Sequence, residues 1–194
     1  MDITNLITQN FSESIAAKQK AAEVLQQPVA KAVAILVKAF QEGNKLLICG
    51  NGGSAADSQH FAAEFTGRYE IERTPLPAVA LTTDTSAITA IGNDYAFEVV
   101  FSKQVEALGK PGDVLLALST SGNSSNVLKA IEAAHAKGMR IIALTGKNGG
   151  EINSRLTEKD INICAPVNRT ARIQEIHILV LHTLCDAVDN VLFK

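Results

Sequence analysis

Basic residues and aromatic rings are both in short supply. Eighteen Lys and Arg face twenty Asp and Glu, for a formal net charge of −2, and aromatic residues make up 5% of the chain. With the basic residues scattered and so few rings to stack on, the sequence has neither the electrostatic nor the stacking footprint of a nucleic-acid binder. Cysteine is scarce as well. Cys49, Cys164 and Cys185 are far apart and odd in number, which excludes a disulfide framework and a cysteine zinc site. Each falls in an apolar strand or helix and reads as a plain buried thiol. No apolar run is read as approaching the ~20 residues of a membrane span. The opening MDITNLITQNFSES has an early acid and no basic region followed by an apolar block, so it does not read as a signal peptide. The expectation is a cytoplasmic protein without membrane or nucleic-acid partner.

What is present is ordinary in amount and ordered in arrangement. A chain of 194 residues, 46% of them hydrophobic, can bury roughly 70% of its unfolded surface as one domain. Residues 2 to 40 carry apolar positions three and four apart, the helical period, with Pro28 placed to open a second helix and Gly43 to end it. From there short apolar runs alternate with helical stretches. KLLIC (45–49), AVAL (78–81), VLLAL (114–118), RIIALT (140–145) and INICA (161–165) are the expected strands. Helices are expected near 54–66, 86–92, 97–108, 124–137 and 150–156, and a long one from about 170 to 192. Strands with little polar alternation are buried on both faces, as in a parallel sheet. The β–α alternation therefore predicts a doubly wound α/β fold. With no repeat or linker in the chain, residues 1–194 read as a single domain. Residues 1–43 form a helical extension suited to packing against another subunit, and 44–194 form the α/β core.

In such sheets ligands bind beyond the carboxyl ends of the strands. Two loops fall there. ALSTSGNSSN (117–126) brings Ser119, Thr120, Ser121, Ser124 and Ser125 together around Gly122, and CGNGGSAADSQHF follows the first strand. Each leads into a helix, whose free N–H groups and dipole favour an anion. Gly50, Gly52 and Gly53 let a ligand approach the backbone, and Asn51 or Ser54 can add donors. Gly50, Gly52 and Ala55 also satisfy a loose dinucleotide fingerprint, with Asp84 as a ribose acid. That reading leaves the serine loop unexplained. A plain capping turn is the alternative for the serine loop, although one cap needs fewer hydroxyls. The phosphate-binding G-x-x-x-x-G-K-[ST] pattern is absent.

Further along, His60 and Glu64 stand four apart on one helix face, a spacing that serves a divalent metal, acid–base chemistry or merely a solvated surface. The last helix carries Gln174, Glu175, His177 and His182 among Ile, Leu and Val. Gln174 and His177 share a similar face, whereas His182 lies eight residues on, about 12 Å along the axis. Spacing alone does not choose between the two histidines.

GNGGSAADSQHFAAEFTGRY, PAVAL, IGNDYAFEVVFSKQVEALG, GDVLLALSTSGNSSNVLKAI, IALTGKNGG and ARIQEIHILVLH together resemble the sugar isomerase (SIS) domain family over essentially the whole chain. The resemblance implies a flavodoxin-like, five-stranded parallel sheet, a homotetramer and a Zn2+ cofactor. The implied activity is ketose–aldose isomerisation of a phosphorylated seven-carbon sugar, sedoheptulose 7-phosphate, feeding ADP-heptose and lipopolysaccharide core synthesis. It further implies that Ser119, Thr120, Ser121 and Ser124 hold the phosphate and that Asn51, Gly52, Gly53, Asn93 and Asp94 line the sugar. On this resemblance His60, Glu64, Gln174 and His182 hold the metal, and Glu64 with His182 transfers protons. The closing TLCDAVDNVLF is also similar to a branch of non-catalytic SIS scaffolds that bind the bacterial replication initiator. That branch generally lacks the metal-site carboxylate and the final histidine, both present here.

Overall fold

A computed structural model describes residues 2–194. Five parallel strands, β1 (Leu46–Cys49), β2 (Ala78–Ala80), β3 (Val114–Ser119), β4 (Arg140–Thr145) and β5 (Ile161–Cys164), form one sheet in the order β2-β1-β3-β4-β5. Their side chains alternate between two buried faces, as the pleat requires. Leu46, Ile48, Leu116, Leu118 and Ile142 pack against α1 (Ile3–Val24), α2 (Gln26–Gln41), α3 (Gly53–Thr66) and α8 (Thr170–Phe193). Leu47, Cys49, Leu115, Ala117 and Ile141 pack against α5 (Ser102–Leu108), α6 (Ser125–Ala136) and α7 (Gly150–Arg155), with α4 (Thr85–Asp94) at their margin. The expected strands are found with ends displaced by one residue at most.

The N-terminal helices break at Leu25, which both ends α1 and begins α2. Pro28 is the third residue of α2, where its missing N–H is one of those the helix leaves unbonded. Gly43, at φ +76°, turns the chain after α2. The stretch 97–108 is not one helix but a 3-10 turn (Phe97–Val99) followed by α5.

Contrary to the expectation of no long apolar run, α8 is long and apolar enough to span a bilayer by length and composition. Here Ile173, Ile176, Val180, Leu181, Leu184 and Val188 are buried against the sheet and α2. Cys49 and Cys185 are buried free thiols and Cys164 is half-buried. Desolvation pushes the Cys49 thiol up to about 12.

In this strand order the chain turns in opposite directions from β1 and β3, through α3 on one face and α6 on the other. The crevice between those two strand ends is where doubly wound sheets bind ligands.

Candidate active site

The loops after β1 and β3 are joined across the crevice. Asn51 and Asn126 exchange a pair of amide hydrogen bonds at 2.8 and 2.9 Å, which leaves each side chain one donor and one acceptor position to spare. Gly50 lies against Ser54 and Leu118, too close to accept a Cβ. Gly52, at φ +56°, turns the chain into α3.

The serine hydroxyls do not cap α6. Ser124 occupies the N-cap of α6 but makes no side-chain cap bond; its hydroxyl pairs with Ser119 Oγ at 2.9 Å. The first N–H groups of α6 therefore remain available to an anion, beside the half-exposed Thr120 and Ser121. Gly122, at φ +70°, is pressed onto the Gly149 carbonyl so that a Cβ would collide with it. The Gly122 carbonyl accepts the Ile152 N–H at 2.9 Å. Asn123 Oδ1 accepts the Glu151 N–H at 2.8 Å. The loop after β4 thus braces the cradle from below.

About 10 Å along α3 from Gly53, three chemically active side chains meet. His60 and His182 face each other with Nε2 atoms 2.8 Å apart, one donating and the other accepting. Glu64 Oε1 lies 3.4 Å from His60 Nε2. The pairing follows from α3 and α8 running the same way. Gln174 lies over Gly53, where a Cβ would meet its amide nitrogen, and eight residues later His182 reaches His60. So His182 joins His60 within one subunit. Gln174 stands at the other end of the helix pair and makes no recorded bond to His60, Glu64 or His182. Two residues that spacing missed complete the surroundings. Tyr69 stacks on the His182 ring, centroids 5.8 Å apart. The Asp57 carboxyl, one turn before His60, is raised by desolvation, with His60 and His182 pulling it back.

His177 is excluded from this group. It is buried, its Nε2 bonds the Thr145 carbonyl at 2.9 Å, and desolvation lowers it to about 4. Asn93 and Asp94 sit exposed at the end of α4, bonded to each other, and this chain alone does not bring them to Glu64. Asp84 caps α4 by accepting the Ala87 N–H at 2.9 Å, which accounts for it without a ribose.

Among the described residues no three His, Cys, Asp or Glu side chains are disposed as a metal site. The imidazole nitrogens share a proton at 2.8 Å, whereas two nitrogens on one tetrahedral zinc stand about 3.3 Å apart. The donor chemistry nevertheless fits, since two imidazoles and a carboxylate are the protein ligands of many catalytic zinc centres.

Residues 10–146 match the SIS domain family. Phosphoheptose isomerase of Methylibium petroleiphilum is 60% identical over 183 residues, 94% of this chain and 92% of that protein. Among solved structures, phosphoheptose isomerase from Neisseria gonorrhoeae superposes with a TM-score of 0.93 at 53% identity, covering 97% of this chain and 99% of the other. That from Francisella tularensis gives 0.96 at 44% identity, covering 98% and 100%. A parallel sheet in this order, a hydroxyl cradle at its switch point and these likenesses lead to one conclusion: the chain belongs to the SIS domain family.

Proposed function

We propose that the protein is a phosphoheptose isomerase that converts sedoheptulose 7-phosphate to D-glycero-D-manno-heptose 7-phosphate through an enediol. The observation that carries this is the His60–Glu64–His182 cluster in a chain that also offers the serine cradle. The chain offers an anion seat after β3 and, on α3 and α8, a carboxylate with two imidazoles. An elongated ligand with its phosphate at one end and its reacting carbons at the other matches that layout. The relatives named phosphoheptose isomerase supply the chain length of the sugar.

In the proposed reaction Ser119, Thr120, Ser121, Ser124 and the start of α6 grip the phosphate. The phosphate takes no part in bond making; its anchoring sets carbons 1 and 2 in register, and positioning of this kind lowers barriers by several kcal/mol. Glu64 removes a proton from C1, and the freed electron pair forms the C1–C2 double bond. His182 protonates the C2 oxygen. Return of the Glu64 proton to C2, with His182 taking back a proton from the C1 hydroxyl, leaves the aldehyde at C1 and restores both residues. Without a metal, His60 orients the His182 ring through the contact between their Nε2 atoms. Asn51, Gly52 and Gly53 give the sugar an open backbone edge.

Zinc is proposed at His60, Glu64 and His182, with Gln174, at the other end of the helix pair, completing the set only if a second subunit supplies it. Bound there, the ion polarises carbonyl and hydroxyl oxygens. Elemental analysis of purified protein should find about one zinc per chain, lost in His60→Ala. A homotetramer is proposed as well. Ile3, Ile7, Phe11 and Ile15 recur every four residues along α1 and are exposed. Between α1–α2 and α8 lies a groove of about 470 Å³ whose apolar lining includes Leu25, Val29, Val33 and Leu179. Asn93 and Asp94 can then serve a neighbouring subunit's site. A cytoplasmic place in ADP-heptose and lipopolysaccharide core synthesis accords with this activity.

Incubating the protein with sedoheptulose 7-phosphate in D2O tests the reaction. The aldose should appear in the NMR spectrum with solvent deuterium at C2. A ketose left unchanged, with no exchange at C1, would contradict the reading. The scaffold alternative is not favoured, because Glu64 and His182 are present and adjacent to His60.

A further inference from the structure

The segment between α3 and β2 sends one side chain back beneath the cluster. Arg73 is buried, its side chain 1% exposed. Its Nη2 donates to the Glu64 carbonyl at 2.8 Å and its Nη1 to the Phe65 carbonyl at 2.8 Å. The Gly67 carbonyl is a further acceptor at 3.2 Å. The Glu64 and Phe65 carbonyls belong to the last turn of α3, which no N–H of the helix can reach. A cation placed there also suits the negative end of the helix dipole. On its other side, Arg73 Nε donates to Asp189 Oδ1 at 2.8 Å, while the Phe193 ring lies 5.7 Å from the guanidinium carbon.

Asp189 is on α8, seven residues beyond His182. Seven residues are close to two full turns, so both side chains leave α8 on the side facing α3. Asp189 Oδ2 is buried without a partner, so the hold of Asp189 on its surroundings runs through Arg73.

We propose that Arg73 is a positioning residue. By clasping the backbone of Glu64 on one side and Asp189 on the other, it fixes α3 against α8. It thereby sets the separation of the Glu64 carboxylate from the His182 imidazole. The His60–His182 contact at 2.8 Å spans the same two helices, and a slip of one ångström would break it. Misplacement on that scale, far from the reacting atoms, can cost 10²-fold in rate. The kinetic part of this proposal rests on the isomerase reading; the geometric part does not.

Two variants test it. Arg73→Lys keeps the charge but cannot reach all the acceptors at once. Asp189→Asn keeps the shape and an oxygen acceptor and removes the charge. In folded Arg73→Lys, kcat with sedoheptulose 7-phosphate should fall about 10- to 100-fold while KM stays within about threefold, because the cradle is untouched. Asp189→Asn should lose about tenfold, and it carries the test alone if the lysine variant does not fold. The second readout needs no substrate: the imidazole 15N resonances of His60 and His182 should shift in both variants, while those of His135 stay in place. Unshifted His60 and His182 resonances in a folded variant, or a kcat within twofold of wild type, would overturn the proposal. A loss seen in KM rather than kcat would do the same. If the wild type fails to isomerise the sugar, the isomerase reading falls, and the imidazole resonances decide the role of Arg73 on their own.

Discussion

The cradle is built from six consecutive residues, Ser119–Ser124, whereas the proton-transfer cluster draws His60 and Glu64 from α3 and His182 from α8, 122 positions beyond His60. The cradle's shape is set locally, by the end of β3, a left-handed Gly122 and a hydroxyl pair five residues apart. Its bracing from Gly149, Glu151 and Ile152 comes from the next β–α connection. The cluster has no such local frame. Its 3.4 Å contact lies within α3, but the 2.8 Å contact to His182 depends on how two parallel helices are seated. On the proposed function such an assembly divides its labour: the rigid local element would hold the inert end of the ligand, and the helix pair would perform the chemistry.

Changes at the two ends should therefore separate in the kinetics. The largest effect is expected at the cluster. Glu64→Gln should keep the fold and KM while kcat drops by about 10²-fold or more; steady-state assays of the folded variant check this. Next comes a contrast within α8 itself. His177 is held neutral in the fold, at about 4 against an ordinary 6.5. The unfolded chain binds its proton first, so stability falls as pH drops from 6.5 towards 4. His177 should account for about 2 kcal/mol of loss between pH 7 and pH 5. Urea titrations at both values should show this, and His177→Gln should flatten the dependence. His182, half-exposed in the site, carries no comparable burial. The smallest effect is expected at the cradle. Ser124→Ala should raise KM about tenfold with little change in kcat. Equal KM values for variant and wild type would return the loop to a structural role.

The same division governs what could be read from the sequence. Strand positions and the α/β order were legible because buried parallel strands are apolar throughout and their loops carry Gly and Ser. The serine loop stood out for the same reason, its residues being neighbours in the chain. Spacing along α8 could not choose between His177 and His182. The choice depends on α3 and α8 running in parallel, so that Gln174 meets Gly53 and His182 meets His60. Family resemblance assigned His182, and the helix packing supplies the reason. Arg73, Asp57 and Tyr69 did not read as site residues: an arginine in an irregular stretch, for one, gives no periodic sign that it will be buried. Asp84 shows the converse, since a spacing that suited a ribose belongs to a helix cap.

A crystal structure of the Glu64→Gln protein with sedoheptulose 7-phosphate tests the central claim most directly. The account predicts the phosphate against Ser119–Ser124 and the start of α6, with carbons 1 and 2 beside residue 64 and His182. A phosphate seated elsewhere, or a sugar whose first two carbons lie away from α3 and α8, would contradict it.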